Sequence, residues 1–416
     1  MLFLALRRVL PGLAAVLLLS TSAWAQPGVR ARDLGVALPG TPGPLNAITD
    51  VAGVAVGHTT IIEGAGKLVR GQGPIRTGVT AILPRGQAGP DSTFASWYRL
   101  NGNGEMTGVA WLEESGILDT PVLITNTHSV GVARDAAIEW MLGHRPGFSF
   151  ALPVVAETAD GLLNDMNGFH VQRSHVLGAL DAARPGPVAE GNVGGGTGMI
   201  CHGFKAGIGT SSRVIQVAGG RYTLGVLTQC NYGARPRFRV DGVPVGEAIP
   251  NSEVGICLTV KPEATTRFAG GRFPECGPGG STKPGLPGPL DDGAGSIIVV
   301  VATDAPLLPH QLQRLTRRVA LAVGRMGGLG ENSSGDIFLA FSTANRSIGR
   351  GDSVVALAMV PNALMNPLFE ATVQATEESI LNAMVAAETM VGADGVRVPE
   401  LPHDRLREIM AAARRR

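Results

Sequence analysis

The sequence predicts an α/β layered sandwich, sheets covered by helices, and two observations predict it. Seven short runs are apolar at nearly every position, the pattern of strands covered on both faces. Between several of them lie longer segments whose apolar residues recur three and four positions apart, the pattern of helices with one buried side.

Taken in order, the strands are "GVTAILP" (78–84), "PVLITNT" (121–127), "ALPVVAE" (151–157), "YTLGVLTQC" (222–230), "VGICLTV" (254–260), "SIIVVVAT" (296–303) and "DIFLAFST" (336–343). The helices are "VARDAAIEWMLG" (132–143), "PHQLQRLTRRVALAVGRMG" (309–327) and "NPLFEATVQATEESILNAMVAAETM" (366–390). The Asn366-Pro367 opening of the last suits a helix start, because proline at the first helical position gives up no needed N–H. The closing "PHDRLREIMAAARRR" reads as a short helix whose terminal arginines favour the helix dipole and stay solvated. The segment from Ala234 to Gly295 stands apart as an insertion and linker. Its second half, "RFPECGPGGSTKPGLPGPLDDGAG", is rich enough in Pro and Gly to form an exposed, mobile loop.

Composition bounds the function. The chain has 416 residues, 44% of them hydrophobic, enough to bury a large core in one domain or two smaller ones. Its 35 basic and 34 acidic residues leave a net charge of +1, so no basic face is implied and nucleic acid is not an expected partner. With 58 Gly, 28 Pro and only 17% charged residues, tight turns between buried strands are expected rather than disorder.

At the start, Arg7 and Arg8 precede an apolar stretch from Leu13 to Leu19, and Ala23-Trp24-Ala25 forms a small-x-small cleavage site before Gln26. Residues 1–25 therefore read as an export signal, too short for a stable membrane anchor. The mature protein would begin near Gln26 and be periplasmic or secreted. In an oxidising compartment Cys201, Cys230, Cys257 and Cys276 can form up to two disulfides, in three alternative pairings, or remain buried thiols. They lack the CxxC spacing of a zinc cluster.

The glycine-rich "EGNVGGGTGMICHGFKAGIG" (190–209) follows no apolar strand and has no Gly-Lys-Ser/Thr ending, so turns and close backbone approach explain it better than a phosphate cradle. The histidines, among them His128, His170 and His202, show no HExxH and no pair four apart on a helix, and read as hydrogen-bonded structural residues. There is no GxSxG elbow. No metal or cofactor is expected.

Ser296 sits where the Asp/Gly-rich loop runs into "IIVVV". From spacing alone a serine at such a junction is usually a turn residue. The neighbouring chemistry raises the nucleophile reading, since Gly295 leaves its carbonyl open to the next hydroxyl. Attack there would pass through an ester and release a new amino terminus on Ser296. Such an amine has an unperturbed pKa of about 7.7–8, suited to base work beside its own hydroxyl.

Blocks along nearly the whole mature chain resemble the DmpA/BapA-type family of self-processing aminopeptidases, which includes L-aminopeptidase/D-esterases and β-peptidyl aminopeptidases. They run from "NAITDVAGVAVGHTT" (46–60) through "GVTAILPRG", "NGNGEMTG" (101–108), "ITNTHSVGVARDA" (124–136), "AETADGLLNDMNG" (156–168) and "TQCNYG" (228–233). "GSIIVVVATDAPLLPHQL" (295–312), "NSSGDIFLAFSTAN" (332–345) and "ATEESILNAMVAAETM" (375–390) complete the series. The resemblance implies an αββα four-layer sandwich of the type shared with ornithine acetyltransferases. It also implies a single catalytic domain, 26–416, cut between Gly295 and Ser296 into an α chain (26–295) and a β chain (296–416) that stay associated. A homo-oligomer, a tetramer of such pairs, would follow.

The same resemblance implies the roles. Ser296 is the nucleophile, Asn231 the oxyanion donor, and Ser334 with Asp336 assists proton transfer. Glu157 pairs with the ammonium group of a small peptide or amide substrate. Two positions depart from relatives. Asp336 replaces a glutamate of the β-peptidyl members, one methylene shorter, so a bridging water is expected to fill the gap. Ala159 stands where some D-selective members have tyrosine, which opens the pocket and removes the basis for a D-preference. The expected function is an exported, self-activating N-terminal-serine aminopeptidase acting on short peptides, amides or esters of L-, D- or β-amino acids. Its alternatives are an acyltransferase of the ornithine acetyltransferase type and an inactive secreted binding protein of the same fold.

Overall fold

The computed structural model describes residues 28–87, 92–145, 147, 149–260, 273–277, 295–346, 348 and 352–415. The expected export signal (1–25) and residues 261–272 and 278–294 of the Pro/Gly-rich stretch lie outside the described residues.

The chain opens with strands β1 (Ala55–Glu63), β2 (Ile75–Leu83) and β3 (Thr93–Arg99), then helix α1 (Val109–Ser115) and strands β4 (Ile117–Leu118) and β5 (Val122–Asn126). Helix α2 (Val130–His144), strand β6 (Val154–Thr158) and helix α3 (Arg173–Asp181) follow. A small hairpin, β7 (Ile200–Cys201) and β8 (Phe204–Lys205), precedes the long strands β9 (Ile208–Val217) and β10 (Gly220–Asn231). Next come α4 (Val245–Ala248), β11 (Cys257–Leu258), β12 (Ser296–Thr303), α5 (Pro309–Arg325) and β13 (Gly335–Ser342). The chain closes with α6 (Asn366–Val385), β14 (Met390–Val391), β15 (Val396–Val398) and α7 (His403–Ala413).

Two sheets organise these elements. One has four strands in the order β1-β2-β5-β6, the other six in the order β4-β3-β13-β12-β10-β9. Helices α2 and α3 cover the outer face of the first through Trp140, Met141, Val176 and Leu180. Helices α5 and α6 cover the second through Leu312, Leu315, Val319, Leu368 and Leu381. Between the sheets lies a third apolar layer, with Ile82, Ile124 and Ala156 from one side and Leu227, Ile298, Val300 and Leu339 from the other. Helix, sheet, sheet and helix make the expected αββα sandwich.

Strand β12 shows why such strands read as unbroken apolar runs. All eight of its residues are buried. Ile297, Val299 and Val301 face the helices, while Ile298, Val300 and Ala302 face the other sheet. The two-residue period therefore turns Ser296 toward the space between the sheets. Helix α5 starts on Pro309, and the Leu308 N–H donates to the Gln311 side chain at 3.1 Å, meeting one orphan donor of the first turn.

Several elements differ from expectation. Strands β1, β3 and β9 and helix α3 have no counterpart among the apolar runs. In β9, Thr210, Ser211, Ser212 and Arg213 are buried but polar. Their hydroxyls find partners instead: Ser211 Oγ donates to the Ala375 carbonyl, Thr210 Oγ1 to that of Val226, and Ser212 Oγ to Asp50. The strand expected over 254–260 is reduced to β11, which pairs with β15 and bridges Glu275 through Leu258. Helix α6 ends at Val385 rather than 390, because the chain turns to pair Met390 with Val398. Residues 234–260, the first part of the expected insertion, pack on the core through Phe238, Val240, Val245 and Ile249. Of the three possible pairings, the cysteines form Cys201–Cys230 and Cys257–Cys276.

One buried ion cluster ties the start of the chain to α6 and β9. Glu378 is fully buried and meets the Arg32 and Arg213 guanidinium groups at 2.7 Å each. Burial alone would raise its pKa, but hydrogen bonding from Arg32, the Arg213 charge and the Asn46 amide outweigh it and hold it below the usual value. Glu378→Gln leaves those cations uncompensated, and thermal or denaturant melts should show about 3–5 kcal/mol less stability.

Candidate active site

Ser296 is the first residue of β12 and takes its setting from the strands on either side. In register it lies opposite Asn231, the last residue of β10, and opposite Gly335, the first of β13. The Gly335 N–H donates to Ser296 Oγ at 3.1 Å. Gly295, immediately upstream, has φ +152° and lies on the Asn231 carbonyl oxygen, where a Cβ would overlap it. Only glycine fits next to this serine.

The Asn231 side chain is oriented by two backbone groups. Its Oδ1 accepts the Ile200 N–H at 2.9 Å, and its Nδ2 donates to the Ala159 carbonyl at 3.0 Å. An N–H can only donate and a carbonyl only accept, so the amide has one sensible orientation. Of its two amide hydrogens, one is directed at Ala159. Ala159 itself is exposed.

On the other flank, Ser334 Oγ donates to Asp336 Oδ1 at 2.5 Å. The contact is direct, so no bridging water is needed between these two. Their i, i+2 spacing at a strand start turns both side chains the same way. Asp336 Oδ2 accepts from Asn101 Nδ2 at 3.2 Å, and the Asp336 N–H donates back to Asn101 Oδ1 at 2.6 Å. Burial pushes the Asp336 carboxyl up to about 6, against hydrogen bonds from Ser334, Asn101 and the backbone of Ile297, and the Glu331 charge adds to the rise.

Glu157, on β6 of the opposite sheet, reaches this centre through the segment 100–107. At one end of it, Leu100 N–H donates to the Asp336 carbonyl and Asn103 N–H to that of Ser334; at the other, Thr107 N–H donates to the Val155 carbonyl. The segment stitches β13 to β6 across the two sheets. Gly104 is wedged in the middle: a Cβ there would stand 2.8 Å from Gly335 Cα and 3.3 Å from Glu157 Oε1. The Glu157 carboxylate accepts the Glu105 N–H at 2.9 Å and the Thr127 hydroxyl. It is only 3% exposed, and burial raises its pKa against those donors and the His128 charge, with the Glu105 charge raising it further. No described Lys or Arg forms an ion pair with it. A desolvated carboxylate without a cation of its own is suited to a substrate's ammonium.

In register Ser296 stands between Asn231 and Gly335, Ser334 and Asp336 contact each other at the start of β13, and Gly104 lies against both Gly335 and Glu157. Three contributors escaped sequence reasoning. Asn101 holds Asp336 from two directions, Thr127 holds Glu157, and Gly104 supplies the close approach. The doubled Asn-Gly of "NGNGE" was a signal for Asn101 and Gly104, and Thr127 carried none of its own. Of the three histidines singled out, His170 pairs with Asp165 at 2.8 Å, His202 contacts the Ala234 carbonyl at 3.2 Å, and His128 stacks on Phe169 while its charge bears on Glu157.

A model of peptidase family S58 matches residues 46–398. The beta-peptidyl aminopeptidase BapA of Sphingosinicella microcystinivorans is 52% identical over 407 residues, 97% of each chain. That of Sphingosinicella xenopeptidilytica is 46% identical, over 97% of this chain and 96% of the other. The solved L-aminopeptidase D-Ala-esterase/amidase of Ochrobactrum anthropi, described as a prototype serine aminopeptidase and a variant of the Ntn hydrolase fold, superposes with a TM-score of 0.80. It is 43% identical and covers 93% of this chain and 99% of its own.

Asn101→Ala removes a donor that favours ionised Asp336. The carboxyl, already up at about 6, should rise further, so the acidic limb of the kcat/KM pH profile should move to higher pH with reduced activity at its plateau. An unmoved limb would separate Asn101 from the proton chemistry.

Proposed function

This chain belongs to peptidase family S58 and is a serine aminopeptidase, and from that premise we propose that it is exported, activates itself by cutting before Ser296, and removes amino-terminal residues from short peptides and amides. The observation that carries the self-activation is the Gly295-Ser296 junction. A hydroxyl held by the Gly335 N–H follows a glycine whose site excludes any side chain.

In the first event Ser296 Oγ attacks the Gly295 carbonyl carbon. The C–N bond breaks, nitrogen takes up the hydroxyl proton, and an ester joins the two residues. Water then hydrolyses the ester, leaving a carboxylate on Gly295 and a free amine on Ser296. In turnover the same oxygen attacks the acyl carbon of a substrate, and the new amine accepts its proton. Ser334 and Asp336 steady that amine and pass the proton to the leaving nitrogen. The amide hydrogen of Asn231 not directed at Ala159 donates to the tetrahedral oxyanion, a contribution of about 3 kcal/mol in comparable sites. Water releases the acyl group.

Glu157 accounts for the restriction to chain ends. Its carboxylate binds the free ammonium, and a peptide interior has none. The two relatives named as beta-peptidyl aminopeptidases support including β-amino acids among the acyl groups accepted. Export is supported by the N-terminal pattern and by the two disulfides. Assembly into a tetramer of cleaved pairs belongs to the same reading.

Ser296→Ala should give one uncut chain by intact mass, without aminopeptidase activity; two fragments from it would overturn the mechanism. Glu157→Gln should raise KM for free-amine substrates at least tenfold while leaving self-cleavage intact. An equal loss on N-blocked esters would remove Glu157 from ammonium binding.

A further inference from the structure

We propose that the Cys201–Cys230 disulfide is a positioning device for the oxyanion donor, so that full turnover requires this bridge to be closed. The inference rests on the reading of Asn231 as that donor. Its basis is a three-rung contact between two stretches of chain. The Ile200 N–H donates to Asn231 Oδ1 at 2.9 Å, Cys201 is bonded to Cys230, and the His202 N–H donates to the Tyr232 carbonyl at 2.8 Å. The bridge is the middle rung. It joins the residue after Ile200 to the residue before Asn231, with Cα atoms 5.7 Å apart, within the usual disulfide range.

The stretch that carries Ile200 is half of a hairpin with strands of two residues each, paired through Ile200 with Lys205 and Cys201 with Phe204. Lys205 Nζ and the Ala206 N–H both donate to the Met199 carbonyl, and Arg235 donates to the carbonyls of His202 and Gly203, but among these ties to neighbouring chain the bridge is the covalent one next to Asn231. The rung it supplies is nonetheless decisive for chemistry. Ile200 N–H claims the oxygen end of the Asn231 amide, which leaves the nitrogen end as the one presented to Ala159 and to a developing oxyanion. Without that claim the amide can rotate about its last torsion and offer oxygen where a donor is required. Displacements of about 1 Å in such groups cost roughly a hundredfold in rate. Both sulfurs are fully buried, so the closed bridge is shielded from casual exchange. A chain that has not yet been oxidised carries an unclamped amide. The second disulfide, Cys257–Cys276, sits by β11 in the small three-stranded sheet and touches none of these groups.

The test compares Cys201→Ala/Cys230→Ala with Cys257→Ala/Cys276→Ala as processed enzymes on an aminoacyl p-nitroanilide. Loss of the first bridge should lower kcat at least tenfold with KM within twofold of the parent, because ammonium binding at Glu157 is untouched. Loss of the second should leave kcat within twofold. A folded enzyme lacking Cys201–Cys230 that keeps the parent kcat overturns the proposal. If that variant fails to fold or process, the Cys257→Ala/Cys276→Ala enzyme, already cut and holding only the bridge in question, is reduced with a phosphine and then reoxidised. The open state is verified by thiol alkylation and mass. Reversible loss of kcat supports the role, and full kcat with both thiols free overturns it. Asn231→Ala run in parallel separates the two readings. If it keeps kcat, the oxyanion assignment falls and the proposal with it; if it loses kcat while the bridge-free enzyme does not, only the role of the bridge falls.

Discussion

The reaction centre depends on backbone approaching backbone more closely than any side chain allows. Gly295 lies on the Asn231 carbonyl, and Gly335 lies on Gly104, where a Cβ on Gly335 would come within 2.5 Å of Gly104 Cα. The first approach brings the bond before Ser296 against the end of β10. The second brings the segment that reaches Glu157 against the start of β13. A methyl group at Gly295 would press on the end of β10 within the six-stranded sheet, and one at Gly335 would push the 100–107 segment off β13. Ser296, Asp336 and Glu157 belong to different strands, and these contacts are what draw the strands together.

Within that frame two carboxylates share one physical problem and are given different solutions. Asp336 and Glu157 are both buried, and burial raises the pKa of each. Asp336 is surrounded by donors from its own chain: the Ser334 hydroxyl, the Asn101 amide and the Ile297 backbone. It can hold a proton or release it near neutral pH, as a relay requires. Glu157 has donors in Thr127 and the Glu105 N–H but no Lys or Arg ion pair among the described residues. In the proposed function a substrate ammonium completes that charge, so a preference for free amino ends would be electrostatic rather than steric. Asn231 differs from both, being neutral and acting through direction. In its proposed role the direction of the amide matters, and that direction is set by a backbone N–H from the Ile200 hairpin, 31 residues away in sequence.

Much of the fold was legible because burial on two faces leaves a direct trace. The strand "SIIVVVAT" and the helix opening at Asn366-Pro367 stand where expected. Strand β9 was not legible, since its buried hydroxyls are satisfied by partners far along the chain, and a period of apolar residues cannot report that. The site divides in the same way. Ser296 stands out by its place at the junction, whereas Asn101 and Thr127 are ordinary polar residues until Asp336 and Glu157 are folded against them.

The sequence by itself determined the layered α/β class, the serine at the head of a buried strand, and, by resemblance, the family to which the chain belongs. Those properties are local or are carried by blocks of residues in fixed order. Tertiary structure alone decided which cysteines pair, which way the Asn231 amide faces, and that Ser334 contacts Asp336 without an intervening water. Each of these is a distance between atoms remote in sequence or a direction at a side-chain tip. Such quantities exist only once the two sheets have closed on each other.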